Sequence, residues 1–240
     1  MRGPEVEVAV DALAEAVSRA LRPAAGPPST GDFSLHQQWP GQNENTEARL
    51  AALRVLGVDA LTPFVLAGHQ FGDADAELVC EAIRTHPAPA TPDGGPLWHL
   101  RDWALISVLR SLCVEAAPAV PQPPPDACAD PAMPWQDWSA EIMRLSSLAL
   151  PGVSSPPREA VAQRPLDLGR GLTRAMLRRD HLGAARLARW AALDGADCPD
   201  IHLTTVIDHL AVLAADSGGV PPGRIHLELT LATLLANGGR

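Results

Sequence analysis

The chain has 240 residues, 46% of them hydrophobic, a formal net charge of -9 and a pI near 5.3. That length suffices for one sizeable core, and a single all-helical domain over 1-240 is expected. The acidic balance leaves little electrostatic footprint for nucleic acid, whose phosphates are held by basic side chains; only a local arginine patch would offset it.

Composition removes several chemistries. All 19 basic residues are arginine and there is no tyrosine. A phosphate-cradling lysine, a Schiff-base lysine and a phenolic acid are therefore excluded. Cys80, Cys113, Cys128 and Cys198 are scattered without CxxC spacing, which predicts reduced thiols in a cytoplasmic protein and excludes a two-knuckle zinc site. The N-terminal run EVEVAVDALAEAVSRALR carries acids where a signal peptide needs positive charge, and no segment is apolar for long enough to span a bilayer. Neither a membrane nor a nucleic-acid partner is expected, and no cofactor is evident.

In chain order, Val6, Val10, Leu13, Val17 and Leu21 recur at helical spacing, and Pro23 stops that first helix. A linker at 22-34 follows. NTEARLAALRVLG reads as a helix capped by Asn45 or Thr46 and closed by Gly57. DALTPFVLAGHQFG predicts a short helix started by Asp59, with Pro63 in its first turn, and DADAELVCEAIRTH a helix capped by Asp73. LWHLRDWALISVLRSLCVEA is the strongest apolar helix. Seven prolines at 116-134 predict extended structure. WQDWSAEIMRLSSLAL resumes the helical pattern, and PGVSSPPREAVAQRP, at 151-165, reads as a third proline-rich surface loop. Four helices follow from Leu166 to the end. No strand pattern occurs, so the class is all-α, with about nine helices in antiparallel hairpins forming an irregular α/α solenoid or toroid.

The run RRDHLGAARLARWAALDGADCPDIHLTTVIDHLAVLAADSGGVPPG, followed by RIHLELTLATLLA, resembles the hairpins of helical-toroid proteins of the terpene cyclase and prenyltransferase β-subunit type. It is similar also to a group of uncharacterised actinobacterial all-helical proteins. The shared features are an Ala- and Leu-rich helix, a second helix ending in an Asp-Ser-Gly-Gly or Asp-Gly loop, and a final helix opening with a histidine. They cover about a quarter of the chain. The resemblance implies bacterial specialised metabolism, that is, natural product biosynthesis. The chain departs from the cyclase pattern, since DADAE at 73-77 is not DxDD and the repeated Gln-Trp signature is absent. No catalytic residue is carried over from those families.

Candidate site residues lie in three places. His202 and His209, in CPDIHLTTVIDHL, are seven residues apart, which puts them on nearly one helix face but about 10 Å apart along the axis. That excludes a metal site made by this helix alone, and with Thr205 they form a polar strip that is either a cavity wall or a solvent edge. In the last helix, His226, Thr230 and Thr233 make a narrow polar stripe among leucines, while Glu228 points elsewhere as a carboxylate that could equally face solvent. In LWHLRDWALI, His99 and Asp102 share a face at three-residue spacing beside Trp103, as a carboxylate orienting an imidazole or as a plain helix-surface pair. Asp180 reads as the N-cap of the helix opened by His181.

The expectation is a helical protein that binds or processes an apolar or peptide-like small molecule in a cavity between helices. His226, His202, His99 and Asp102 would supply acid-base chemistry if it is an enzyme, and Thr205, His209, Thr230 and Trp103 would bind the ligand. One alternative is a scaffold for a partner protein, with 116-134 as its interaction strip. A second is a mononuclear metal enzyme drawing ligands from His99, His202, His209 and His226.

Overall fold

In the computed structural model, the structure describes residues 3-22, 33-38, 46-88, 95-112, 123, 130, 132-194, 201-216 and 222-238. Every regular element among them is helical, and no helix among them is long and apolar enough to cross a membrane. The chain divides into two compact units, Met1-Pro121 and Gln122-Arg240.

The first unit holds α1 (Gly3-Leu21), α2 (Thr46-Leu56), α3 (Thr62-Leu66), α4 (Asp73-Thr85) and α5 (Gly95-Ser111), with 3₁₀ turns at Leu35-Gln37 and Gly57-Leu61. Helix α1 packs on α2 and α3, α2 on α4, and α5 on the Gly57-Leu61 turn. Leu13, Val17, Leu53, Leu61 and Leu109 are almost wholly buried and form its core. Gly57 closes α2 as expected, in the left-handed region at φ +60°, which a side chain would resist. The segment after it differs from expectation. Asp59 lies inside the 3₁₀ turn rather than capping a helix, and α3 begins only at Thr62, with Pro63 in its first turn where no N-H is needed. Helix α4 starts at Asp73 with Gly72 as its N-cap, one residue before the cap read from the sequence.

The second unit holds α6 (Trp135-Arg144), α7 (Pro156-Gln163), α8 (Pro165-Leu177), α9 (His181-Leu193), α10 (Leu203-Asp216) and α11 (Pro222-Gly238), with a 3₁₀ turn at Ser146-Leu148. Helix α9 is its centre and packs against α6, α8, α10 and α11. Alanines at 184, 185, 188, 191 and 192 are all buried on α9, and such small side chains let neighbouring axes approach closely. Trp190, 1% exposed, donates its indole N-H to the Ile142 carbonyl at 2.9 Å and fixes α9 on the end of α6. As read from the sequence, Asp180 caps α9, its carboxylate accepting the Gly183 N-H at 2.9 Å.

Two expectations fail here for local reasons. WQDWSAEIMRLSSLAL is not one helix, because α6 stops at Arg144 and the chain tightens into the 3₁₀ turn. Within the expected loop at 151-165, Pro156-Gln163 is helical: Pro156 and Pro157 occupy the first turn, where a missing N-H costs nothing. Arg158 of α7 then grips Asp194 at the end of α9 with two hydrogen bonds, Nε to Oδ2 at 2.8 Å and Nη2 to Oδ1 at 2.5 Å. Those bonds hold the Asp194 carboxyl below the usual carboxylate range.

Helices α6 and α8 meet at Gly171. A Cβ built there would lie 2.6 Å from Ser139 Cβ and 3.3 Å from Leu187 Cδ1. Gly171→Ala is expected to lower the thermal midpoint, since overpacking of about 1-3 kcal/mol exceeds the helix propensity gain of about 1 kcal/mol. A midpoint at or above that of the unaltered protein would show that the two helices have room to part.

Candidate functional site

The histidine-centred sites are dispersed. In the first unit His99 is exposed, whereas Asp102 is buried and paired with Arg54 Nη2 at 2.8 Å. Arg54 in turn donates Nε-H to the His86 carbonyl at 2.8 Å, and its guanidinium lies 5.7 Å from the Trp98 ring centroid. The carboxylate that three-residue spacing offered to His99 is thus held by an arginine 48 positions away, and Trp103 is half-buried. In the second unit, His202, Thr205 and His209 stand exposed along the outer edge of α10, the solvent-edge form of that strip. His202 itself precedes the helix, its carbonyl accepting the Val206 N-H at 3.1 Å. On α11, His226 and Thr230 are half-buried, and Thr233 is exposed with its hydroxyl donated back to the Leu229 carbonyl at 2.8 Å. Among the described residues no three His, Cys, Asp or Glu side chains are grouped to hold a metal ion.

The polar centre of α11 is Glu228, which is buried rather than solvent-facing. Its Oε1 accepts from Ser146 Oγ at 2.8 Å and from Arg186 Nε at 3.2 Å, and its Oε2 from Arg189 Nη1 at 3.2 Å. Arg189, wholly buried, also donates Nε-H to the Ala149 carbonyl at 3.1 Å. This network clamps α9 and α11 to the Ser146-Leu148 turn. Its members face one another, which makes it an internal brace.

One Ser-His-Asp grouping occurs, and sequence reasoning missed it. The Ser34 hydroxyl and the His36 backbone N-H both donate to Asp75 Oδ1, at 2.9 and 3.0 Å. His36 Nδ1 lies 3.1 Å from the same oxygen and 2.7 Å from Ser34 Oγ. In a hydrolytic triad the carboxylate and the nucleophile occupy opposite ring nitrogens. Here both meet Nδ1, and the Ser34 hydroxyl donates to the carboxylate itself, so the triad arrangement is not formed. The grouping ties the Leu35-Gln37 turn to α4. Cys80 is equally unsuited to nucleophilic work, since burial pushes its thiol pKa up and Arg84 offsets this only in part. Cys113, Cys128, Cys198 and most of 116-134 lie outside the described residues.

Among the described residues, a surface that can receive a ligand lies on α8. A groove of about 630 Å³ runs along its outer face, within the range typical of small-molecule sites. Its floor and rims are apolar: Pro165, Leu166, Leu177 and Ile201, with Gly169 adding no side chain and Trp135 forming an aromatic wall. Leu166 is 58% and Leu177 81% exposed, unusual for leucines this close together on one helix. Arg170, Arg174 and Arg178 also line the groove, four residues apart and so on one helical face. Arg174 lies over Trp135 with its guanidinium carbon 5.6 Å from the ring centroid. Thr173, the remaining polar side chain of the lining, turns its hydroxyl into the Gly169 carbonyl at 3.0 Å.

Among the described residues, no carboxylate lines this groove. Residues 164-179 contain five arginines against one acid, Asp167, in a chain whose net charge is -9. The four-residue arginine ladder between exposed leucines was the available sequence signal. In the sequence, LDLGRGLTRAMLRR shows the pattern of an ordinary helix. No protein-family model, curated protein or solved structure matches the chain.

Proposed function

We propose that this chain is a binding protein for an apolar small molecule and that the ligand lies in the α8 groove of the second unit. The observation that carries this reading is the exposure of Leu166 and Leu177 on either side of Gly169, facing Trp135 and Ile201. Two large apolar side chains left in water on one helix face forfeit about 1.5-3 kcal/mol each relative to burial, and a ligand recovers part of it. Acid-base catalysis by His226, His202, His99 or Asp102 receives no geometric support, because Asp102 is engaged by Arg54 and His99 and His202 stand in solvent. A solenoid or toroid arrangement of the hairpins remains part of the proposal, supported by the short connection between α8 and α9 and by the packing of α10 on α11.

The test uses 1-decanol as an uncharged apolar probe, followed by tryptophan fluorescence, with Trp135→Phe identifying the reporting ring. Leu177→Glu is expected to weaken decanol binding at least about tenfold, the equivalent of 1.4 kcal/mol, without lowering the thermal midpoint. Decanol binding that is indifferent to both Leu166→Glu and Leu177→Glu would remove the groove from the proposal.

A further inference from the structure

From the arrangement of charge in the groove we infer that its ligand is an amphipathic acid, with an apolar chain or ring ending in a carboxylate or phosphate. The inference rests on the proposed groove and adds the ligand's chemical class. Three features carry it. The first is the ladder of Arg170, Arg174 and Arg178 along one wall, with no acid among the described residues of the lining.

The second is how the arginines are held. Arg170 has an ion-pair partner in Asp167, at 3.1 Å, yet its side chain stays 60% exposed and can turn toward a stronger anion. Arg174 lies over Trp135 at cation-π distance, its guanidinium carbon 5.6 Å from the ring centroid. An arginine fork can meet a carboxylate or phosphate with two parallel N-H donors, a charge-assisted contact about twice as strong as a neutral hydrogen bond. Asp167 itself is claimed from the other side by Arg164, whose Nε donates to Oδ2 at 2.9 Å. It therefore neutralises Arg170 only in part.

The third feature is the contrast with the rest of the molecule. At a net charge of -9 the long-range field repels anions, so the five-arginine segment is a local exception to it. An apolar body fits between Leu166 and Leu177, and an anionic head then meets the arginines along the same face. A free inorganic anion would leave the leucines wet, and a neutral lipid would bring no charge to the arginine ladder.

The experiment compares decanoate, 1-decanol and acetate on the intact chain by isothermal titration and Trp135 fluorescence, at low and high salt. Decanoate is expected to bind about tenfold or more tightly than decanol, acetate not measurably, and the decanoate preference to shrink with salt. Arg174→Gln and Arg178→Gln are each expected to weaken decanoate binding more than decanol binding and so to erase most of that preference. Equal binding of decanoate and decanol, unaffected by the arginine variants, would overturn the anionic head and leave the groove standing. Binding of neither would overturn both. A synthetic α1 peptide, GPEVEVAVDALAEAVSRAL, tests an acidic helix of a second copy as the occupant. Its binding in place of decanoate would overturn the small-molecule class.

Discussion

Glu228→Ala is expected to destabilise the protein by about 3-5 kcal/mol, because it removes the carboxylate that the wholly buried Arg189 guanidinium faces. Arg189→Ala is expected to act similarly from the other side. Replacing both at once, as Arg189→Met with Glu228→Leu, is expected to cost less than either single change, since a buried ion pair repays its desolvation only while intact. The residue of that cost falls on Ser146, whose hydroxyl loses its acceptor, at about 1-3 kcal/mol. Arg186, 29% exposed, can turn to water instead. Urea unfolding followed by far-UV circular dichroism measures all three variants. Additive losses in the double variant would contradict an ion pair as the source of the effect.

The second large effect is at Asp102, where two readings of one residue diverge. If Asp102 merely oriented His99 on a helix surface, removing it would leave stability unchanged and would alter only chemistry at His99. In the structure its carboxylate neutralises Arg54, 5% exposed, beneath Trp98. Asp102→Ala is therefore expected to destabilise by about 3-5 kcal/mol, and His99→Ala, at an exposed position, by less than about 0.5 kcal/mol. Similar, small losses in both variants would restore the helix-surface pair.

These two residues show what the sequence could carry. Helical spacing is a local property, so α1, α2 with its Gly57 stop, α4 and the Asp180 cap of α9 were legible from neighbouring residues alone. Which polar groups meet is not local. Glu228 finds Arg189 across 39 positions and Asp102 finds Arg54 across the α2-α5 segment, and no spacing rule within one helix announces either partner. The same limit applies to the histidine strip. The polar strip of His202, Thr205 and His209 was correctly assigned to one face, but only the packing of α10 on α9 and α11 decided that this face lies in solvent. The prolines at 156 and 157 misled in another way. In sequence they mark a surface loop, whereas at a helix start their fixed φ is compatible with α7.

The groove on α8 was half legible. Its arginine ladder and its leucines are written in one continuous segment, but Trp135 comes from 31 residues before Leu166 and Ile201 from 23 residues after Arg178. A helix with arginines and two outward leucines is an ordinary surface helix until those walls are placed beside it.

The most direct test of the central claim is amide chemical-shift mapping of the isotope-labelled protein during titration with decanoate. The expected result is saturable shifts concentrated at Leu166, Gly169, Thr173, Leu177 and Ile201 and at the Trp135 indole, with α10 and the whole first unit unmoved. Shifts centred on His202, His209 or His226 away from α8, or none at saturating decanoate, would contradict it.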